Sequence, residues 1–371
     1  MRNKEFFILL ESYESALERG SVASLGLSQE DFLEIIDYYD ESMEGENLTM
    51  ACEAAFEQYG YSWEINERYI DALIKRGEMQ KALQLLDESP CLERPIVSLL
   101  YARVYVCEGE FGKADECFIS FAESGEVTGY AETIAMLASD CINVKNYRLA
   151  LKYYNFLLER NAIGDEVWSD MAFCYDALGD FTSAEEYYRK YLDAFPFDDI
   201  IWFDLGTLYA KQNFHQKAID AFEYSIALDN ANTMAMHNLA IVYLNLFKYN
   251  EALRYFEEFA LLEPENPLAF VGVAEAQMGL KNFETARHNF SKALEFNPQC
   301  NEAEFGMLCL FTIESYLKGE TAIFISRIRE IIKTDPSWLY MLCNLYPELK
   351  DNKPFIKLLL SAGKITDNNT Q

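Results

Sequence analysis

Apolar residues recur along this chain at helical spacing, in blocks that repeat every 34 residues. The large apolar residues that mark the step are Trp168, Trp202, Met236 and Phe270. Within one block, Trp202, Leu205 and Tyr209 follow at three- and four-residue intervals, which is the period of one face of an amphipathic helix. A short turn such as Gly179-Asp180 then precedes a second helical stretch. The pattern predicts a helix–turn–helix hairpin in each block.

Small residues occupy the positions where the paired helices would approach each other. They form one column on the first helix and one on the second, comprising Ala172, Gly206, Ala240 and Ala274, and Ala184, Ala218, Ala252 and Ala286. An aromatic column on the second helix comprises Tyr188, Phe222, Phe256 and Phe290. Pro264 and Pro298 end two of the units, because proline cannot continue a helix. Agreement of several columns over four consecutive units predicts stacked hairpins.

These columns resemble the tetratricopeptide repeat, whose hairpins carry Trp–Leu–Gly–Tyr and Ala–Phe–Ala–Pro positions in this order. The stretch from Trp202 to Tyr209, followed by Ala218 and Phe222, is a close match. The resemblance implies an all-α fold, a right-handed superhelical solenoid of stacked hairpins with helical caps. It also implies that the first helix of each hairpin lines a concave surface on which partner segments bind.

Weaker copies extend the pattern in both directions and define the expected organisation of the chain. We expect an N-terminal capping helix within residues 1–27 and about eight to nine tetratricopeptide-type repeats over 28–336, the best-matched being 131–300. Capping helices are expected at 337–363, before a frayed polar tail at 364–371. Caps are expected because terminal repeats need one polar outer face.

The charge balance narrows the classes of partner. The 371 residues include 31 Lys+Arg and 61 Asp+Glu, a net charge of −30, which repels nucleic-acid phosphates and anionic lipid surfaces. We therefore expect no nucleic-acid and no membrane partner. The apolar run from Phe6 to Leu10 ends at Glu11 and is shorter than the roughly 7–15 residues of a signal-peptide core. Together with nine cysteines that form no CxxC pair, this predicts a reduced, cytoplasmic protein.

The chain carries no pattern typical of catalysis. Its three histidines, His215, His237 and His288, are far apart in sequence, and no phosphate-binding glycine loop is present. Acidic pairs such as Glu257-Glu258 have the spacing of solvated helix surface. We expect no metal, no cofactor and no enzymatic activity.

The resemblance places the candidate binding groove on the first helices of the best-matched units. Its predicted residues are Phe173, Phe203, Thr207, Met234, His237, Asn238, Ile241, Leu244, Leu268, Val271 and Met278. Most are apolar, and an exposed apolar patch of this extent usually marks an interaction site. His237 and Asn238 are predicted to donate or accept hydrogen bonds with a peptide backbone. Because Asp170 and Asp204 would repel a carboxylate, a basic or apolar segment is favoured.

Three interpretations of this patch remain open from the sequence. The protein is expected to be a non-enzymatic scaffold that binds a partner protein or peptide in the groove. Alternatively, it is a self-associating structural protein whose patch is buried in a homodimer. Neighbouring hairpins of a tight superhelix could also bury the same side chains as core.

Overall fold

The computed structural model describes residues 4–88, 95–125, 128–334, 339, 342–343, 349 and 351–361. These residues form α-helices, three short 3₁₀ turns and connecting loops, with no strand among them. The chain divides into two compact units, Met1–Ala194 and Phe195–Gln371, called unit 1 and unit 2 below.

Unit 1 contains eleven α-helices within its described residues. They are α1 (Lys4–Glu18), α2 (Gln29–Glu41), α3 (Gly45–Tyr59), α4 (Trp63–Arg76), α5 (Met79–Glu88), α6 (Pro95–Cys107), α7 (Phe111–Glu123), α8 (Ala131–Asn143), α9 (Tyr147–Leu158), α10 (Trp168–Ala177) and α11 (Phe181–Ala194). The 3₁₀ turns are Val22–Leu25, Thr128–Tyr130 and Asp165–Val167.

Unit 2 contains nine α-helices within its described residues. They are α12 (Asp199–Lys211), α13 (His215–Leu228), α14 (Thr233–Asn245), α15 (Tyr249–Leu262), α16 (Pro267–Gly279), α17 (Phe283–Phe296), α18 (Asn301–Leu317), α19 (Thr321–Thr334) and α20 (Lys353–Ser361).

From α2 to α19 the helices pair as hairpins, and within unit 2 each helix packs on the next one along the chain. The first helices of successive hairpins also contact one another, as α4, α6 and α8 do in unit 1 and α12, α14, α16 and α18 do in unit 2. These first helices therefore form a layer of their own within each unit. The prediction of an all-α fold of stacked helical hairpins is confirmed.

Each hairpin turn contains one residue in the left-handed backbone region. These residues are Met43, Gly77, Gly109, Lys145, Gly179, Asn213, Phe247, Lys281 and Gly319. A backbone hydrogen bond between residues five apart closes the turn. In one example, the N–H of Phe214 donates to the carbonyl oxygen of Tyr209 at 2.9 Å. This bond satisfies a carbonyl that the helix end would otherwise leave without a donor.

The small and aromatic columns of the second helices are buried, as their spacing predicts. The alanines of the second-helix column, Ala184, Ala218, Ala252 and Ala286, are fully buried. The aromatic column beside them is buried as well, and comprises Tyr188, Phe222, Phe256 and Phe290. Removal of these rings from water accounts for much of the stability of each hairpin.

The ends of the described chain are covered by extra helices. In unit 1, α1 buries Phe6, Leu10 and Tyr13 against a core that includes Phe32 of α2. In unit 2, α20 places the ring of Phe355 6.2 Å from that of Phe324 on α19, measured between centroids. Most of residues 337–352 and the predicted polar tail at 364–371 lie outside the described residues.

Candidate functional site

The predicted groove residues lie in both units. Phe173, on α10 of unit 1, is 43% exposed, and its ring meets that of Tyr147 edge-on at 5.9 Å between centroids. The other ten predicted residues lie on α12, α14 and α16 of unit 2. The geometry below concerns these three helices.

Three of the ten residues present large exposed apolar side chains. Met234 is 65% exposed, Ile241 38% and Leu268 39%. The partly buried members of the set are Phe203, Thr207, His237, Asn238 and Leu244. Because α12 contacts α14 and α14 contacts α16, these side chains belong to one layer of adjacent helices.

The sequence analysis missed Ile200, which is 62% exposed on α12. Ile200, Met234 and Leu268 are each the second residue of their helix, at successive 34-residue steps. The 34-residue period, applied backward from Met234, would therefore have identified Ile200. We call Ile200, Met234 and Leu268 the apolar strip.

Polar N-cap residues fix where the three helices begin. The side chain of Asp198 accepts a hydrogen bond from Ile201 N, and that of Asn232 accepts one from Ala235 N. Asn266 does the same for Leu268 N, ahead of Pro267 at the first helical position. Because a polar N-cap residue precedes each of the three helices, the helices begin at equivalent positions of the repeat. The strip residues therefore occupy equivalent positions in the first turn.

Two predicted groove residues contribute no surface. Val271 is 5% exposed and Met278 is fully buried, and both belong to a core cluster with Phe305 and Cys309 of α18. The physical reason is that α16 contacts α18 in addition to α14, α15 and α17. The prediction that Val271 and Met278 lie in an exposed groove was wrong. Both side chains are part of the hydrophobic core.

His237 faces the interior of its own hairpin. Its ring lies edge-on to Phe256 and Phe259 of α15, at 5.9 and 5.6 Å between centroids. Burial lowers the pKa of His237, against smaller opposing effects of Asn238 and Glu263. Its Nδ1 lies 3.4 Å from Oδ1 of Asn238, so the two side chains contact each other. Packing and this contact account for His237 within the described structure.

Two polar groups on the same layer are poorly solvated. The Oγ1 of Thr207 is enclosed and has no hydrogen-bond partner among the described residues. Glu275 of α16 is half-buried, and burial, with the charge of Glu302 adding to it, raises the pKa of Glu275 to about 7. A carboxyl that holds its proton near neutral pH leaves this part of the layer less charged than its sequence indicates.

Three further observations concern metal ligation, membrane crossing and the cysteines. In the described part of the chain, no group of three or more His, Cys, Asp or Glu side chains has the geometry to hold a metal ion. No helix in the described ranges has the length and hydropathy needed to cross a bilayer. Cysteines such as Cys52 and Cys107 are unpaired, and burial raises the pKa of the Cys107 thiol to about 11.

Comparisons with known proteins agree with the repeat pattern. Family models described as tetratricopeptide repeat match residues 136–199, 175–233 and 233–258. The ER membrane protein complex subunit 2-B of Xenopus laevis is 38% identical over 76 residues, which is 20% of this chain and 26% of that protein. The general transcriptional corepressor ssn6 of Schizosaccharomyces pombe is 29% identical over 89 residues, 24% of this chain and 8% of its own. The chain thus spans about a quarter or less of these relatives.

A solved structure with similar hairpins is that of MamA protein. It is 22% identical to this chain, covers 47% of it and 94% of its own length, and superimposes with a TM-score of 0.43.

Proposed function

Because this chain is a tetratricopeptide-repeat protein, matched as such over residues 136–258, we propose that it is a non-enzymatic scaffold that binds a segment of another protein. Tetratricopeptide repeats generally mediate protein–protein interaction, and stacked hairpins create extended binding surfaces. The proposed surface is the layer of first helices in unit 2.

The observation that supports this surface most strongly is the apolar strip. Ile200, Met234 and Leu268 are 62%, 65% and 39% exposed, although each is a large apolar side chain at the start of a well-capped helix. Single exposed apolar residues are common, but three at equivalent positions on adjacent helices form a repeated feature. Ile241 adds a fourth exposed apolar side chain on α14.

The chemistry of the layer favours a basic or apolar segment as the occupant. Asp199 and Asp204 lie on α12 beside the strip, and the whole chain carries a net charge of −30. Like charges across an interface are costly, whereas a basic segment is attracted over a Debye length of ~8 Å near 0.15 M salt. The same charge argues against nucleic acid and anionic membranes as partners. The free thiols of Cys52 and Cys107 support a reducing, cytoplasmic location.

Site-specific photo-crosslinking in cells of the source organism tests the proposal. Benzoylphenylalanine would be placed at Met234 on the strip, and in a separate variant at Leu261, which is 81% exposed on the second helix α15. The Met234 probe would then be combined with Ile200→Glu, or with Leu261→Glu as the matched control. Circular dichroism would establish that each variant is folded.

We expect an adduct between the Met234 probe and another protein, lost with Ile200→Glu and kept with Leu261→Glu. Equal adducts from both probe positions, or an adduct insensitive to Ile200→Glu, would show that the strip is not the binding surface. An adduct between two copies of this chain would instead assign the strip to a homodimer and overturn the scaffold proposal.

A further inference from the structure

A pocket of about 690 Å³ lies in unit 1, whereas the apolar strip belongs to unit 2. It is formed where α8 begins and where the loop after α9 leads through a 3₁₀ turn into α10. Its apolar wall consists of Ala131, Ala135, Met136, Ala162, Ile163 and Val167. A wall of this kind suits an aliphatic chain rather than a strongly hydrated group.

Three carboxylates from separate elements line the same pocket. Glu132 comes from α8, Glu166 from the 3₁₀ turn and Asp170 from α10. The buried hydroxyl of Tyr154 donates to Oδ2 of Asp170 at 2.7 Å and so fixes that carboxylate. The backbone N–H of Gly164 donates to Oε1 of Glu166 at 3.3 Å.

No basic side chain balances these charges in the pocket. None of its lining residues is Lys, Arg or His, and its three carboxylates form no ion pair with a described residue. The guanidinium of Arg103 contacts one residue of this wall, with Nη1 3.7 Å from Sδ of Met136. Arg103 is itself paired with Asp71 and Asp140, so its charge is already balanced by two other carboxylates.

The negative field extends beyond the pocket toward α4. Burial raises the pKa of Glu67, and the charges of Asp71, Glu132 and Glu64 add to the rise, while Arg68 opposes it. Glu132 therefore lies close enough to Glu67 for the two carboxylates to repel each other. A cation placed in the pocket would relieve this repulsion as well as gain attraction.

We propose that this pocket binds an arginine side chain presented by a partner protein. The aliphatic part of arginine would lie along the apolar wall while its guanidinium reaches the carboxylates. The planar guanidinium has five N–H donors in a fixed fork, so it can satisfy carboxylates from more than one element at once. The proposal does not depend on the apolar strip of unit 2.

A purely structural role for the three carboxylates makes a different prediction. Glu132 and Asp170 lie in the first turns of α8 and α10, where the helix dipole favours negative charge. If that were their only role, neutralising them would lower stability and leave binding of a cation unchanged.

Methionine-methyl NMR with defined peptides separates the two roles. The full chain would be labelled with [methyl-¹³C]methionine, and the signal of Met136 assigned from Met136→Leu. The probe is N-acetyl-Ala-Arg-Ala-amide, and the control peptide replaces arginine with citrulline, which is neutral and of similar shape. Met278, buried in the core of unit 2, is the internal reference signal.

We expect saturable shifts of the Met136 signal with the arginine peptide, none with the citrulline peptide, and a fixed Met278 signal. Asp170→Asn, which keeps an acceptor for Tyr154, should weaken binding about threefold, and Glu132→Gln/Glu166→Gln/Asp170→Asn more than about tenfold. The matched control Asp193→Asn, at an exposed carboxylate of α11, should leave the affinity unchanged. Equal shifts with both peptides, no shift of Met136, or wild-type affinity in the triple variant would overturn the proposal.

Discussion

Gly206 on α12 lies directly against the ring of Phe222 on α13. A Cβ atom built on Gly206 would come within 2.7 Å of Cδ1 of Phe222, well inside contact distance. Phe222 is fully buried, so its ring is enclosed by other atoms of the protein. The missing side chain of Gly206 is what allows this pair of helices to pack at their observed separation.

Gly206→Ala should therefore destabilise unit 2. Overpacking of a filled core costs about 1–3 kcal/mol, partly offset by the better helix propensity of alanine, for a net loss of about 1–2 kcal/mol. The loss would be measured from urea unfolding followed by circular dichroism. The matched control is Gly112→Ala on α7, where a Cβ would meet nothing within 4 Å. Gly112→Ala should be neutral or stabilising, and equal effects of the two substitutions would contradict the packing argument.

Lys145 provides a test of the turn geometry. It is exposed and has φ of 62° in the turn between α8 and α9, at the position that Gly77 and Gly109 fill in earlier hairpins. A residue with a Cβ costs roughly 1–2 kcal/mol in this backbone region. Lys145→Gly should thus raise the free energy of unfolding by about 1 kcal/mol.

The control for Lys145→Gly is the same substitution within a helix. Lys113 is exposed on α7, and Lys113→Gly should lower the stability by about 1 kcal/mol through the loss of helix propensity. The two variants should change the urea midpoint in opposite directions. A loss of stability in both would show that Lys145 makes a favourable contact that outweighs its backbone strain.

The repeating columns predicted the hairpins because residues 34 apart occupy equivalent positions whatever their neighbours are. Ala218 and Phe222 could be assigned to a helix–helix contact from spacing alone, and both are fully buried. The residues that surround Ala218 and Phe222 belong to their own hairpin and to its neighbour. A periodic sequence carries such information in every copy.

Exposure on the first-helix layer could not be predicted in the same way. Phe203, His237 and Val271 share one column, yet Phe203 is half-buried on α12 and Val271 is enclosed on α16. The difference comes from α18, which has 17 residues against 13 in α16 and contacts it more extensively than α12 contacts α14. Burial of a column member therefore depends on the next hairpin, which the column itself does not encode.

Arg103 links three first helices of unit 1 and should be essential to its stability. It is 3% exposed, with Nη1 2.6 Å from Oδ1 of Asp71 on α4 and Nε 2.7 Å from Oδ2 of Asp140 on α8. Arg103→Met would leave Asp140 buried without its partner, a change that typically costs about 3–5 kcal/mol. Urea unfolding would measure the loss.

The control for Arg103 is a comparable pair on the surface. Arg68 lies 2.9 Å from Asp37, with side chains 42% and 45% exposed, so Arg68→Met should cost less than about 1 kcal/mol. Adding Asp140→Asn to Arg103→Met should recover part of the stability, because the buried group is then neutral. If the double variant is no more stable than Arg103→Met, the loss arises from packing rather than from an uncompensated charge.

Glu275 should make the stability of unit 2 depend on pH near neutrality. Burial, with a contribution from Glu302, raises the pKa of Glu275 to about 7 in the folded protein, above the usual value near 4.5. The folded state therefore binds this proton more tightly than the unfolded state, so the stability it confers is complete below about pH 4.5 and is lost as pH rises through 7. Because the side chain is only half-buried, we expect the loss between pH 5 and 8 to be about 2 kcal/mol rather than the full equivalent of the shift.

The net charge of −30 adds a pH dependence of its own, so the informative quantity is the difference between the wild type and Glu275→Gln. Urea unfolding at pH 5 and pH 8 should give a smaller decrease for Glu275→Gln than for the wild type. Glu295→Gln, at an exposed position of α17, should keep the wild-type decrease. Equal decreases in all three proteins would mean that Glu275 is already ionised in the folded state at pH 5, and that the layer carries its full negative charge.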